Sequence, residues 1–170
     1  MITKYIKGDI TETELKYIAH GVNCQNVMGS GVAKALYSKF PKVKTKYHEF
    51  CKENDISLLG LVNIVYNNED KTIFNCFTQQ FYGYDGKRYV NYPAIVDCFR
   101  AVCDEILVYQ PFIGAKPDYR LAIPKIGCGL AGGDWNIVEQ LINDTVGDDL
   151  EIWVYELEEK KYNKINGDPG

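Results

Sequence analysis

The sequence is short of positive charge, of histidine and of long apolar runs, and each shortage removes a class of function. Lysine and arginine total 19 against 23 aspartates and glutamates, a formal net charge of −4. Broad nucleic-acid binding relies on Lys and Arg neutralising many phosphates, so no strong nucleic-acid binding is expected. The two histidines, His20 and His48, have no ligand-like spacing to each other or to cysteines, so no metal site is expected. No window approaches about 18 consecutive apolar residues, and Met1 to Tyr5 holds no apolar signal core, so no membrane association is expected. The six cysteines (Cys24, Cys51, Cys76, Cys98, Cys103 and Cys128) form no Cys-x-x-Cys pair. Most sit in apolar runs, as buried thiols of a reducing compartment do, and a cytoplasmic protein is expected. Two nucleotide signatures are missing as well. Lys34 stands where the third glycine of Gly-x-Gly-x-x-Gly would fall, and no Gly-Lys-Ser/Thr occurs.

What is present suits one soluble α/β domain. The chain has 170 residues, 46% hydrophobic and 25% charged. Thr3 to Lys7 and Lys16 to Cys24 read as strands. Val32, Leu36 and Phe40 fall on one helical face until Pro41 interrupts it. A second helix is expected from Val43 to Glu53, with Tyr47, Phe50 and Cys51 inward. Leu61 to Tyr66 and Thr72 to Thr78 read as strands joined by the turn Asn67-Asn68-Glu69-Asp70. Gln79 to Tyr92, rich in Tyr and Gly, reads as a loop. Pro93 then opens a helix carrying Ile95, Phe99, Val102 and Ile106. Gln110 to Asp118 reads as a surface connection, Arg120 to Ile123 as a strand. Asp134 is the expected N-cap of a helix with core face Ile137, Val138, Leu141 and Ile142. Leu150 to Leu157 closes the sheet, and the tail 158–170 is expected to fray. Strands alternating with helices predict a mixed sheet of about six strands covered on both faces, a three-layer α/β/α sandwich.

Ligands of such folds sit beyond the carboxyl ends of strands. Two glycine-rich loops each follow a strand and precede a helix: Asn23 to Ala33, and Gly127 to Gly133. Their glycines let the backbone approach a ligand. The helix that follows the first loop points free N–H groups and partial positive charge at the same spot. An anion can be held this way without Lys or Arg, and two such loops facing each other could clamp a diphosphate.

Lys7-Gly8-Asp9-Ile10, Val22-Asn23-Cys24-Gln25-Asn26 running into Gly29-Ser30-Gly31-Val32-Ala33, and Ile123-Pro124-Lys125-Ile126-Gly127-Cys128-Gly129-Leu130 resemble the macro-domain signature, in order and spacing. The resemblance runs from about Ile2 to Leu157, so residues 1–157 are expected to form the macro domain. Within the family the chain most resembles yeast-type ADP-ribose-1''-phosphate phosphatases and related terminal ADP-ribose glycohydrolases. Shared features are Ala19-His20, Tyr37-Ser38-Lys39-Phe40-Pro41, Leu58-Leu59-Gly60, Cys76-Phe77-Thr78 and Asn91-Tyr92.

The resemblance implies roles residue by residue. Asp9 and the Ile10 N–H would serve adenine, and Tyr155 would stack on it. Asn26 or Asn23 would hold the distal ribose, with Asn26 the favoured one. Gly29, Ser30, Gly31, Val32 and Ala33 would give N–H groups to one phosphate. Cys128, Gly129, Leu130 and Ala131 would give them to the other. Met28, Thr78 and Gly127 complete the expected lining. His20, Asn26 and Asp134 are the catalytic candidates. Each has a plainer role available: an Asx turn for Asp9, a local backbone bond for Asn26, a core tyrosine for Tyr155, a buried histidine for His20, an N-cap for Asp134. Gln79 and Ala131 stand where glycohydrolases of this branch carry a lysine and an aspartate, and neither can do that chemistry. The expected activity is removal of the terminal phosphate from ADP-ribose-1''-phosphate by a monomer with no cofactor. The alternatives are an ADP-ribose-binding module and a mono-ADP-ribosyl hydrolase.

Overall fold

A computed structural model of the protein describes residues 1–68 and 70–157; the tail 158–170 lies outside the described residues. Its six strands are β1 (Ile2–Lys7), β2 (Tyr17–Asn23), β3 (Val62–Asn68), β4 (Lys71–Gln79), β5 (Arg120–Ile123) and β6 (Glu151–Glu156). They lie in the order β1-β6-β5-β2-β4-β3. All neighbouring pairs run parallel except β3 against β4, which is antiparallel; Glu69 of the expected turn between them lies outside the described residues.

The helices are α1 (Gly31–Lys39), α2 (Lys42–Glu53), α3 (Tyr92–Asp104), the short α4 (Gln110–Phe112) and α5 (Trp135–Val146). Period-2 alternation sorts each strand between two cores. Tyr17 and Ala19 of β2 join Phe74, Leu121, Ile123 and Val154 beneath α3 and α5. Ile18 and Val22 join Ile73, Phe77 and Trp153 beneath α1 and α2. β2 is therefore buried on both faces and reads as an almost unbroken apolar run. Phe99 and Phe74 are fully buried across the α3–sheet interface. Truncating either to Ala would cost about 3–5 kcal/mol.

Two local expectations need correction. Ile137 is 43% exposed, whereas α5 buries Val138, Ile142 and Val146. A row spaced by four residues meets the core, and Ile137 is rotated about 100° off it. The connection 110–118 is not wholly superficial either. A π-turn, Glu105–Tyr109, and α4 extend α3, and buried Gln110 donates to Glu105 Oε1 at 2.7 Å. Among the described residues no helix is long and apolar enough to cross a membrane, and all six cysteines are free.

Parallel pairing decides where chemistry can happen. The carboxyl ends of β6, β5, β2 and β4 line up along one edge of the sheet, three strand spacings or about 14 Å across. Both glycine-rich loops leave from the middle two of these strands.

Candidate functional site

A cavity of about 580 Å³ opens along that edge. The first loop lines it with Val27, Met28, Gly29, Ser30, Gly31, Val32 and Ala33, and the second with Lys125 to Ala131. Tyr155, Glu156 and Leu157 close the β6 end, and Asn23, Gln79, Tyr82, Gly83 and Tyr84 close the β4 end. The two loops thus face one shared cleft.

They present free amides by different means. Helix α1 begins at Gly31 with φ +60°, and its N-cap Ser30 makes no side-chain cap bond. The first intrahelical donor is Lys34 N–H, to Ser30 O at 3.4 Å. The N–H groups of Gly29, Ser30, Gly31, Val32 and Ala33 therefore have no partner among the described residues. In the second loop the Cys128 N–H is spent on Lys125 O (3.2 Å), the Gly132 N–H on Gly129 O (3.0 Å) and the Gly133 N–H on Gly127 O (2.7 Å). Gly129, Leu130 and Ala131 keep theirs free, so Cys128 is corrected from amide donor to wall. Burial pushes its thiol up to about 11, which keeps it protonated and unreactive.

The second loop is rigid because it is crowded. A Cβ on Gly127 (φ +77°) would lie 2.5 Å from the Val90 side chain, one on Gly132 (φ +71°) 2.6 Å from Lys87 O, and one on Gly133 2.5 Å from Gly127 O. The Ala131 carbonyl accepts from the Tyr89 and Val90 N–H groups at 2.7 and 3.1 Å, tying this loop to the segment after β4.

Several expected side chains lie elsewhere. Asn26 has φ +60°, and its Oδ1 meets His48 Nδ1 on α2, off the cavity lining. Asn23 lines the cavity instead, and its amide is already engaged. Nδ2 donates to Val27 O at 2.8 Å, and Oδ1 accepts from Gln25 N at 2.9 Å and from the Tyr47 hydroxyl at 3.0 Å. Asp134 is exposed and caps α5, accepting from Asn136 N at 2.9 Å. It lies off the lining, so the N-cap role is the one it fills.

Thr78 is fully buried, its Oγ1 2.6 Å from where a Gly21 Cβ would stand; it supports the floor and does not line the cavity. Asp9 and Ile10 sit just past the β6 end, outside the lining. Asp9 Oδ1 accepts from Thr11 N at 2.9 Å and Thr11 Oγ1 at 2.8 Å, the local turn expected as its plainer role. Tyr155 does line the cavity, its hydroxyl 2.7 Å from Thr13 Oγ1.

His20 lies at the cavity floor but is only 1% exposed. Asn75 Nδ2 donates to Val43 O and Asn63 Oδ1, so Asn75 Oδ1 is the acceptor for His20 Nε2–H. The ring is then the neutral Nε2–H tautomer, and Nδ1 has no partner. Burial lowers its pKa to about 4, with the Asn75 bond opposing. A base so weak and so enclosed suits a packing role better than proton transfer near neutrality.

The residues missed in the sequence cluster at the two ends of the cleft. Lys125 reaches Glu156 Oε2 at 3.2 Å at one end. Gln79, Tyr82 and Tyr84 stand at the other. A signal existed: Gln79 to Tyr92 also follows a strand and precedes a helix, like the two glycine-rich loops.

The Macro domain family model matches residues 19–142. An uncharacterized 17.5 kDa protein of Enterobacteria phage T4 is 33% identical, over 93% of this chain and 98% of its own length. The ADP-ribose 1''-phosphate phosphatase of Saccharomyces cerevisiae is 27% identical, over 90% of this chain and 97% of its own. A macrodomain protein from Streptomyces coelicolor superposes with a TM-score of 0.71 at 28% identity, covering 92% of this chain and 99% of the other.

Proposed function

Because the chain belongs to the macro domain family, we propose that its cleft binds ADP-ribose-1''-phosphate and hydrolyses the terminal phosphate. The observation that carries this reading is the pair of amide cradles opening on one cavity. Adenine takes the β6 end against Tyr155, the diphosphate spans the two loops, and the distal ribose reaches Asn23 and Gln79. A similarly sized yeast relative named for this activity supports the choice.

The chemistry asked of the protein is positioning and charge stabilisation. Water attacks phosphorus, the bond from phosphorus to the oxygen on C1'' breaks, and that oxygen takes a proton. ADP-ribose and inorganic phosphate leave. No carboxylate stands at the β4 end of the lining among the described residues. The fixed N–H donors of the two loops therefore act by holding the diphosphate, which places the terminal phosphate for attack by water. A second reading, binding without turnover, is favoured by that same lack of an acid or base beside Gln79. Hydrolysis of ADP-ribosyl bonds by a lysine and an aspartate is disfavoured, since Gln79 and Ala131 occupy those places.

One panel decides: phosphate release from ADP-ribose-1''-phosphate, ADP-ribose release from modified macromolecules, and affinity for ADP-ribose. Phosphate release supports the proposal; affinity without any turnover leaves the binding module. Asp9→Ala is expected to weaken ADP-ribose by about 1.5–3 kcal/mol in calorimetry. Unchanged affinity would confine Asp9 to its turn. The free cysteines suit a reducing, cytoplasmic setting.

A further inference from the structure

Charge is scarce on the wall of the cleft, and what there is lies at one end. Among the described residues that line the cavity, Glu156 is the one carboxylate and Lys125 the one lysine or arginine. Strand register brings them together. Ile123 of β5 stands opposite Val154 of β6, so Lys125, two residues on, is level with Glu156. On the other side of β6, Lys7 of β1 is the register partner of Glu156 itself. Neighbouring strands lie about 4.8 Å apart, close enough for an ammonium to reach the carboxylate from either flank. Lys125 Nζ is 3.2 Å from Oε2 and Lys7 Nζ 3.7 Å. Both contacts fall on Oε2 and leave Oε1 without a partner among the described residues. The Lys7 side chain is 67% exposed and that of Glu156 28%. Ion pairs this open to water are weak, so the lysines steady the carboxylate without using up its capacity to accept.

A carboxylate is a poor wall for a site that holds an anion, unless donors meet it there. It repels a phosphate and accepts from a hydroxyl. Its place in the cleft says which hydroxyl. Tyr155 and Glu156 are consecutive at the end of β6, and Lys125 leads into the second glycine-rich loop. With adenine against Tyr155 and the diphosphate between the loops, the sugar that joins them lies beside Glu156. In dinucleotide sites an acidic residue accepts from the ribose 2'-hydroxyl, and a cation in its place admits a 2'-phosphate.

Resting on the assignment of the cleft to ADP-ribose, we propose that Glu156 is a specificity-determining residue for the adenosine ribose: it accepts from the 2'-hydroxyl and excludes ligands phosphorylated there. Lys7 and Lys125 hold the carboxylate at the strand end. Once its charge is removed, the same two ammonium groups are free to attract a 2'-phosphate. One side chain therefore sets which of two closely related nucleotides the cleft accepts.

The test measures affinity of the full chain by calorimetry for three probes: ADP-ribose, its adenosine 2'-phosphate, and its adenosine 2'-deoxy analogue. The wild type is expected to prefer ADP-ribose to the 2'-phosphate by at least about 30-fold, and to the 2'-deoxy analogue by about tenfold. Glu156→Gln, its folding checked by circular dichroism, should bring the first ratio below about threefold, chiefly by tighter binding of the 2'-phosphate. Glu156→Ala should bind ADP-ribose and the 2'-deoxy analogue alike, because the acceptor is gone. Equal wild-type affinity for ADP-ribose and its 2'-phosphate overturns the proposal, as does a 2'-deoxy loss that persists in Glu156→Ala; both leave the cleft assignment standing. Failure of the wild type to bind ADP-ribose at all removes the cleft assignment and the role of Glu156 together.

Discussion

The two glycine-rich loops face one another yet are built on opposite plans. The first ends in an uncapped helix: Ser30 withholds its side chain from α1, and the first-turn amides look into the cleft. The second ends in a capped helix, because Asp134 satisfies α5 outside the cleft. Its free amides belong to the turn Gly129 to Ala131, held by glycines wedged against Val90 and Lys87. One cradle works by helix polarity, the other by a stiffened turn. Glycine accordingly means different things in the two. At Gly29 and Gly31 nothing lies within 4 Å of a would-be Cβ, so smallness there keeps room for a ligand. At Gly132 and Gly133 smallness lets backbone touch backbone.

Substitutions separate these roles, and the largest effect comes first. Gly129→Glu places a carboxylate in open cleft space, so binding of ADP-ribose should fall more than about 100-fold by calorimetry while circular dichroism stays native. Gly31→Glu should do the same with added backbone strain, since its φ is +60°. Retained affinity in either would mean the phosphates lie elsewhere. Gly132→Ala reverses the pattern. With φ +71° and Lys87 O 2.6 Å from the new Cβ, it should cost about 3 kcal/mol of folding stability in denaturant unfolding. An unaltered midpoint would show that the second loop is not braced as described.

His20 gives the next effect. Its folded pKa of about 4 lies below the ordinary 6.5, so the unfolded chain binds the extra proton. The stability is fully present above pH of about 6.5 and is lost as pH falls towards about 4, on the order of 3 kcal/mol in all. His20→Gln should flatten that acid limb in pH-dependent unfolding; a limb that stays would assign it to other groups, His48 among them, whose pKa burial and then Lys44 and Lys52 also lower. The smallest change is Asp134→Ala. It should cost about 1 kcal/mol of stability, the worth of an N-cap, and leave phosphate release intact. Loss of turnover at normal stability would return Asp134 to catalysis.

Much of this architecture is legible in residue patterns. Alternation in β2, the Pro93 helix start and the Asp134 cap are local physics, and each loop between a parallel strand and a helix must face the same edge. What escaped the sequence depends on long-range contacts. Asn26 stands nearer the glycines than Asn23, yet its positive φ and the pull of His48 turn it away. Thr78 belongs to the right strand end but points beneath Gly21. The β4–α3 loop joins the cleft because β4 pairs in parallel with β2, a neighbour relation that no local pattern encodes.

Backbone amide NMR during titration with ADP-ribose tests the paired cradles most directly. The N–H signals of Gly29 to Ala33 and of Gly129 to Ala131 should move together, saturating at one concentration, with Cys128, Gly132 and Gly133 responding least. Movement confined to one loop, or centred on the separate groove lined by Phe50, Val62 and Val108, would contradict the clamp.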